Sequence, residues 1–146
     1  MGRINAWRVV SGGILAGLVV ATANIVGAAS NMGNWENIGV IATGVLRRPL
    51  ITVAHVAELV LGLAMAWLYA VARPRLGGGG RTAVLMGLVC WVLAYGTTWA
   101  MMTVWLPAES TGGINGATLW GLAGCVAGSL VAGAVYRENA RGARRR

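Results

Sequence analysis

The segment Leu50-Ile-Thr-Val-Ala-His-Val-Ala-Glu-Leu-Val-Leu-Gly-Leu-Ala-Met-Ala-Trp-Leu-Tyr-Ala-Val-Ala72 is apolar apart from Thr52, His55 and Glu58. At about 1.5 Å of rise per residue, a helix of this length crosses a hydrocarbon layer about 30 Å thick. Prolines mark its flanks. Pro49 suits the first turn of a helix, and Pro74 stands where a helix is expected to have stopped already. Working outward, three further segments have the same character: Val9 to Ala29, Thr82 to Trp105 and Asn115 to Tyr136. The expectation is a single transmembrane domain over 1–146, with spans at about 9–29, 50–72, 82–105 and 115–136 and a basic tail at 137–146.

Composition supports this reading. Of 146 residues, 57% are apolar and 11% charged, with a mean hydropathy of +0.67. Soluble domains carry roughly 25% charged residues. A soluble chain this short leaves too much of its surface wet to conceal so much apolar side chain. The start looks like a secretory signal, with Arg3 and Arg8 before an apolar run, but that run is too long for a signal core and more spans follow.

All twelve basic residues are arginine, and the four acids are Glu36, Glu58, Glu109 and Glu138, giving a net charge of +8. An isoelectric point near 11.3 ordinarily raises nucleic acid as a partner. These arginines form short clusters beside apolar runs and no basic stripe, so topology explains them and nucleic acid is excluded. Arg3, Arg8, Arg73, Arg75, Arg81, Arg137, Arg141, Arg144, Arg145 and Arg146 fall on one side, and only Arg47 and Arg48 on the other. By the positive-inside rule both termini are cytoplasmic (N-in/C-in), and the 30–49 and 106–114 connections lie outside. Trp7, Trp67, Tyr69 and Tyr136 near the inner ends, and Trp105 at an outer end, suit interfacial belts.

Helices in lipid associate through small residues that permit close approach. Gly13 and Gly17 in the first span, and Gly124 and Gly128 in the fourth, have the small-xxx-small spacing, as do Ser129 and Gly133. The fold class expected is all-α, an antiparallel bundle of four transmembrane helices. The fourth helix carries small residues on more than one face, which suits contact with another subunit. Trp91, Tyr95 and Trp99 recur every four residues and share a face of the third helix. That face fits ordinary core, a partner subunit, or a quinone, carotenoid or chlorin.

Ionisable residues within a membrane are costly and default to a functional hypothesis. His55 and Glu58 lie three apart on one helix face. Counting from the outer helix ends, Asn24, His55, Glu58 and Thr97 or Thr98 fall at similar depth and form one polar layer in the outer half of the bundle. Three readings stay open. The first is a satisfied hydrogen-bond cluster, with Glu58 protonated and donating to His55 or Asn24. The second is a proton or cation relay, and the third is His55 as an axial ligand to haem or a chlorin. Catalysis has little footing: there is one histidine, no HExxH, no GxSxG and no phosphate-binding glycine motif. Cys90 and Cys125 lie within apolar segments, with no CxxC spacing, and read as small buried hydrophobes, so no metal centre is expected.

Several segments carry a resemblance. They are Arg8-Val-Val-Ser-Gly-Gly-Ile-Leu-Ala-Gly-Leu18, Trp67-Leu-Tyr-Ala-Val-Ala-Arg-Pro-Arg-Leu-Gly77, Arg81-Thr-Ala83 with Trp91-Val-Leu-Ala-Tyr95, and Tyr136-Arg-Glu138. Over nearly its whole length the chain resembles a family of small bacterial four-helix inner-membrane proteins. The family pattern has an acidic residue in the outer half of the first helix, where this chain has Asn24. The resemblance implies fold and membrane placement, and no activity.

The function expected is a non-enzymatic accessory subunit of a larger inner-membrane, energy-converting complex. The alternatives are a small transporter or proton or ion pathway element using Glu58 and His55, and a pigment- or haem-binding subunit through His55. The bilayer, neighbouring membrane subunits or further copies of the chain are the partners this implies. No resident cofactor is expected, with haem, chlorin, carotenoid and quinone as the contacts left open.

Overall fold

The computed structural model describes residues 4–31, 49–105 and 116–142. Among them are four helices: α1 (Ala6–Asn31), α2 (Pro49–Leu76), α3 (Gly80–Trp105) and α4 (Gly116–Gly142). Each is long and apolar enough to cross a membrane, so the fold is that of a multi-pass membrane protein. A helix satisfies its backbone N–H and C=O groups within itself, as hydrocarbon requires. Residues 1–3, the connections 32–48 and 106–115 and the last four residues lie outside the described residues, and with them Trp35, Glu36, Arg47 and Arg48.

α2 does not stop before Pro74 as expected but continues through it to Leu76. The proline sits in the last turn, where its missing N–H leaves only the Ala70 carbonyl without its usual partner. Gly77 then closes the helix. At φ +84°, its N–H donates to the Arg73 carbonyl at 3.0 Å, and glycine adopts that conformation without strain. The Thr82 hydroxyl, in the first turn of α3, donates to the Gly77 carbonyl at 2.7 Å. This bond holds the two helices in a tight turn.

α1 packs along both α2 and α4, and α4 packs in turn on α3. The interior holds small side chains: Ala16, Ala66, Cys90, Cys125, Ser129 and Ala132 are buried. Large apolar residues such as Leu18, Val60, Val92 and Leu93 face outward, the distribution expected when lipid rather than water surrounds the bundle. At Gly13 and Gly17 an added Cβ would stand 2.7 Å from the Leu63 Cα and 2.8 Å from the Leu59 Cα. Backbone meets backbone there, so α1 and α2 lie closer than any side chain allows. Gly124 packs on Val20 and Ala23, and Gly128 on the Ala16 carbonyl. The small residues of α4 are therefore engaged within the bundle.

The aromatic belt is narrower than the sequence suggests. Trp7 and Trp67 are exposed, but Tyr69 and Tyr136 are buried. Their rings meet edge to face with centroids 6.1 Å apart, and the Arg73 guanidinium lies 5.5 Å from the Tyr136 ring centroid. These tyrosines close one end of the core.

Candidate functional site: an intramembrane polar chain

Four side chains from three helices form a continuous hydrogen-bonded chain. On α2, His55 and Glu58 are one turn apart, and His55 Nδ1 lies 2.7 Å from Glu58 Oε2. Across the α1 interface, Asn24 Nδ2 donates to Glu58 Oε1 at 2.6 Å. From α3, the Tyr95 hydroxyl donates to Asn24 Oδ1 at 3.0 Å. Tyr95 fixes the direction of the amide, and the amide fixes the carboxyl group. Asn24 donates to Glu58, so the carboxyl need not be protonated to be held.

Glycines set this geometry. An added Cβ at Gly17 would lie 2.9 Å from the Glu58 carbonyl oxygen, so Gly17 allows α1 to approach the turn of α2 that carries the carboxylate. On α4, Gly121 leaves the space that the Tyr95 ring and hydroxyl occupy. Without that opening the tyrosine cannot turn inward.

Asn24, His55 and Glu58 are thus brought together, and Thr97, expected beside them, is not among the contacts. Thr97 is exposed, and its hydroxyl donates to the Leu93 and Ala94 carbonyls of its own helix at 2.5 and 3.0 Å. Such a back-bond satisfies a hydroxyl on a lipid-facing surface. The Thr98 and Trp99 side chains lie outside the described residues. Tyr95, which the sequence places only on an aromatic face, is the α3 member of the chain. Trp91 is half-buried and packs against the core, its ring tilted against Tyr95 at 6.1 Å. Cys90 and Cys125 are buried free thiols. Among the described residues no three His, Cys, Asp or Glu side chains gather as a metal-binding group.

Two features leave the chain chemically open. His55 Nε2 is buried and has no hydrogen-bond partner among the described residues. A cavity of about 490 Å³ lies between α2 and α3, with Asn24, Glu58 and Tyr95 in its wall and Leu61, Ala64, Leu68, Cys90 and Leu93 along the rest. Comparison of the chain with family models, curated proteins and solved structures gives no match.

Proposed function

We propose that the chain is an antiparallel four-helix bundle of the bacterial inner membrane, with both termini cytoplasmic, and a small ion-coupled transport element whose proton site is the Glu58–His55 pair. The antiparallel arrangement draws on register: Leu63 faces Gly13 while Leu59 faces Gly17, and Gly128 faces Ala16 while Gly124 faces Val20. The orientation draws on the ten-to-two arginine split.

One observation carries the functional reading. A carboxyl group inside the span accepts a hydrogen bond on one side from Asn24, itself held by Tyr95, and shares a hydrogen bond with an imidazole on the other. Sharing one added proton, Glu58 and His55 have no net charge. Losing that proton leaves one negative charge beside the cavity. The asparagine amide does not relay protons, so Asn24 and Tyr95 orient the carboxylate. The cavity wall from Leu61 to Leu68 is apolar, which favours a site that binds and exchanges over an open pore.

The accessory-subunit reading has less support, because Tyr95, Gly124 and Gly128 are already engaged within the bundle. Infrared difference spectra of the reconstituted chain test the proton site. A protonated-carboxyl band should grow on acidification and be missing in Glu58→Gln, whereas spectra indifferent to that substitution remove Glu58 from the mechanism.

His55 Nε2, without a hydrogen-bond partner among the described residues, favours a second reading, a pigment- or haem-binding subunit. Histidines that ligate metals commonly give their other nitrogen to a carboxylate, and His55 Nδ1 already has Glu58. An absorbance scan of the purified chain decides: a Soret or chlorin band lost in His55→Ala supports ligation, and a colourless protein ends it.

A further inference from the structure

We infer that the cavity between α2 and α3 binds an amphipathic primary alkylammonium ion, with its head at Glu58 and its tail along Leu61, Ala64 and Leu68. The inference rests on the reading of Glu58 as a proton site and names what exchanges with the proton.

Shape is the first argument. At about 490 Å³, the cavity falls in the usual range for small-molecule sites, roughly 300–1,000 Å³. Its lining residues run along α2 from Ala57 to Leu68, about 16 Å of helix at 1.5 Å per residue. One polar end and a long apolar wall match a head group with a slender chain. Val60 and Leu93 line the cavity and are also exposed, each at 58%, so it opens sideways on the face that meets lipid. A ligand dissolved in the bilayer reaches it without passing through water.

Hydrogen-bonding capacity selects the head. A carboxylate accepts at about four lone-pair positions. Asn24 and His55 occupy one on each oxygen. The Tyr95 hydroxyl, which spends its proton on Asn24, can still accept. Against these acceptors, once the shared proton has left, the described residues of the cavity wall keep one spare N–H donor, the second of Asn24, and the weak S–H of Cys90. A primary ammonium has three donors and no acceptor and so complements this surplus. A quinone or ketone, with acceptors only, does not.

Charge points the same way. The titratable groups around Glu58 are His55 on its own helix and Tyr95 and Cys90 from α3, with Cys125 of α4 acting on Tyr95. No arginine among the described residues pairs with Glu58. When the ammonium arrives, the proton shared by Glu58 and His55 leaves to solvent, the charge of the site is conserved, and no covalent bond to carbon changes.

The test uses the purified full-length chain in detergent with radiolabelled dodecylamine, and dodecanol as a neutral probe of equal length. Dodecylamine should bind saturably, at least about tenfold tighter than dodecanol, since a charge-assisted hydrogen bond is lost with the alcohol. Bound amine should release about one proton each into a weakly buffered solution containing a pH indicator. Glu58→Gln should abolish the amine preference. Ala64→Phe, on an exposed position of the cavity wall, should weaken amine binding while the Glu58 carboxyl band still titrates. Equal binding of the two probes, or amine binding unchanged in both variants, overturns the inference. A titrating Glu58 band without amine binding refutes the ligand and leaves the proton site standing; a band that never appears refutes the proton site itself.

Discussion

Asn24 Nδ2 lies 2.6 Å from Glu58 Oε1, so the one carboxyl group described within the spans is bound to the neighbouring helix through a side chain that cannot ionise. The amide does two jobs here. It donates to Glu58 without adding charge, and it passes the constraint on to Tyr95 through its other end. Shortening or charging this link changes both the packing of α1 on α2 and the state of the carboxyl group.

Asn24→Asp is therefore an informative substitution. It places two carboxyl groups at hydrogen-bond distance, where they cannot both be ionised and must share a proton. The folded variant then holds a proton that the unfolded chain gives up near neutral pH, so its stability declines as pH rises and recovers on acidification. Thermal unfolding in detergent should show a loss on the order of 2 kcal/mol at neutral pH, shrinking at mildly acidic pH. Asn24→Leu should show a loss that acid does not repair. An Asn24→Asp profile parallel to that of Asn24→Leu would show that the two carboxyls do not share a proton.

Tyr95 and Gly121 act as a unit, because a Cβ at Gly121 would collide with the tyrosine ring and hydroxyl. Tyr95→Phe removes one interhelical bond and should cost about 0.6–2 kcal/mol, the range measured for such bonds in membranes. Gly121→Ala should cost more, since it displaces the whole ring. In the background of Tyr95→Ala, Gly121→Ala should be nearly silent. That non-additivity, read by a double-mutant cycle, is the signature of direct contact, and additive losses would place the two residues apart.

Ser129 is fully buried, and its hydroxyl donates to the Ala83 carbonyl at 2.6 Å, pinning α4 to α3 well away from the polar chain. Ser129→Ala should destabilise the bundle by about 1 kcal/mol while leaving the Glu58 infrared band unchanged. A shift in that band would mean that the two ends of the bundle are coupled.

Much of this was legible from one sequence, and the reasons differ by feature. The four spans follow from length and apolarity, since the bilayer imposes both. His55 and Glu58 share a face because helical period requires it, and Asn24 joins them because equal depth on a neighbouring helix brings side chains into reach. On α3 the sequence points to Thr97 or Thr98, and of these Thr97 turns away while Tyr95 makes the contact, for a physical reason. Depth counting selects hydroxyls by distance from the helix end, and Thr97 satisfies its hydroxyl on its own backbone. A tyrosine reaches polar atoms about a turn away from its own Cα, and Gly121 supplies the opening that lets it do so. The signal was a small residue on α4 facing an aromatic on α3, a pairing between helices that no single-helix pattern contains. Pro74 was misplaced for a related reason: near a helix end the missing N–H costs little, so α2 runs through it.

Gly62 offers the sharpest test of the α1–α2 contact on which the polar chain depends. A Cβ there would press on the Gly13 carbonyl oxygen and the Gly17 backbone nitrogen, with the Gly17 Cα at 2.7 Å. Backbone atoms cannot swing aside as a flexible side chain can, so Gly62→Ala must separate the helices. Overpacking of this kind costs about 1–3 kcal/mol, and the upper part of that range is expected because three backbone atoms are involved. The separation should also stretch the Asn24–Glu58 bond, one turn of helix away, and move the Glu58 carboxyl band. Gly96→Ala serves as the reference, since a Cβ at Gly96 meets nothing within 4 Å, and it should leave stability and the band unchanged. If Gly62→Ala behaves like Gly96→Ala, the close crossing of α1 and α2 is wrong, and the geometry of the polar chain falls with it.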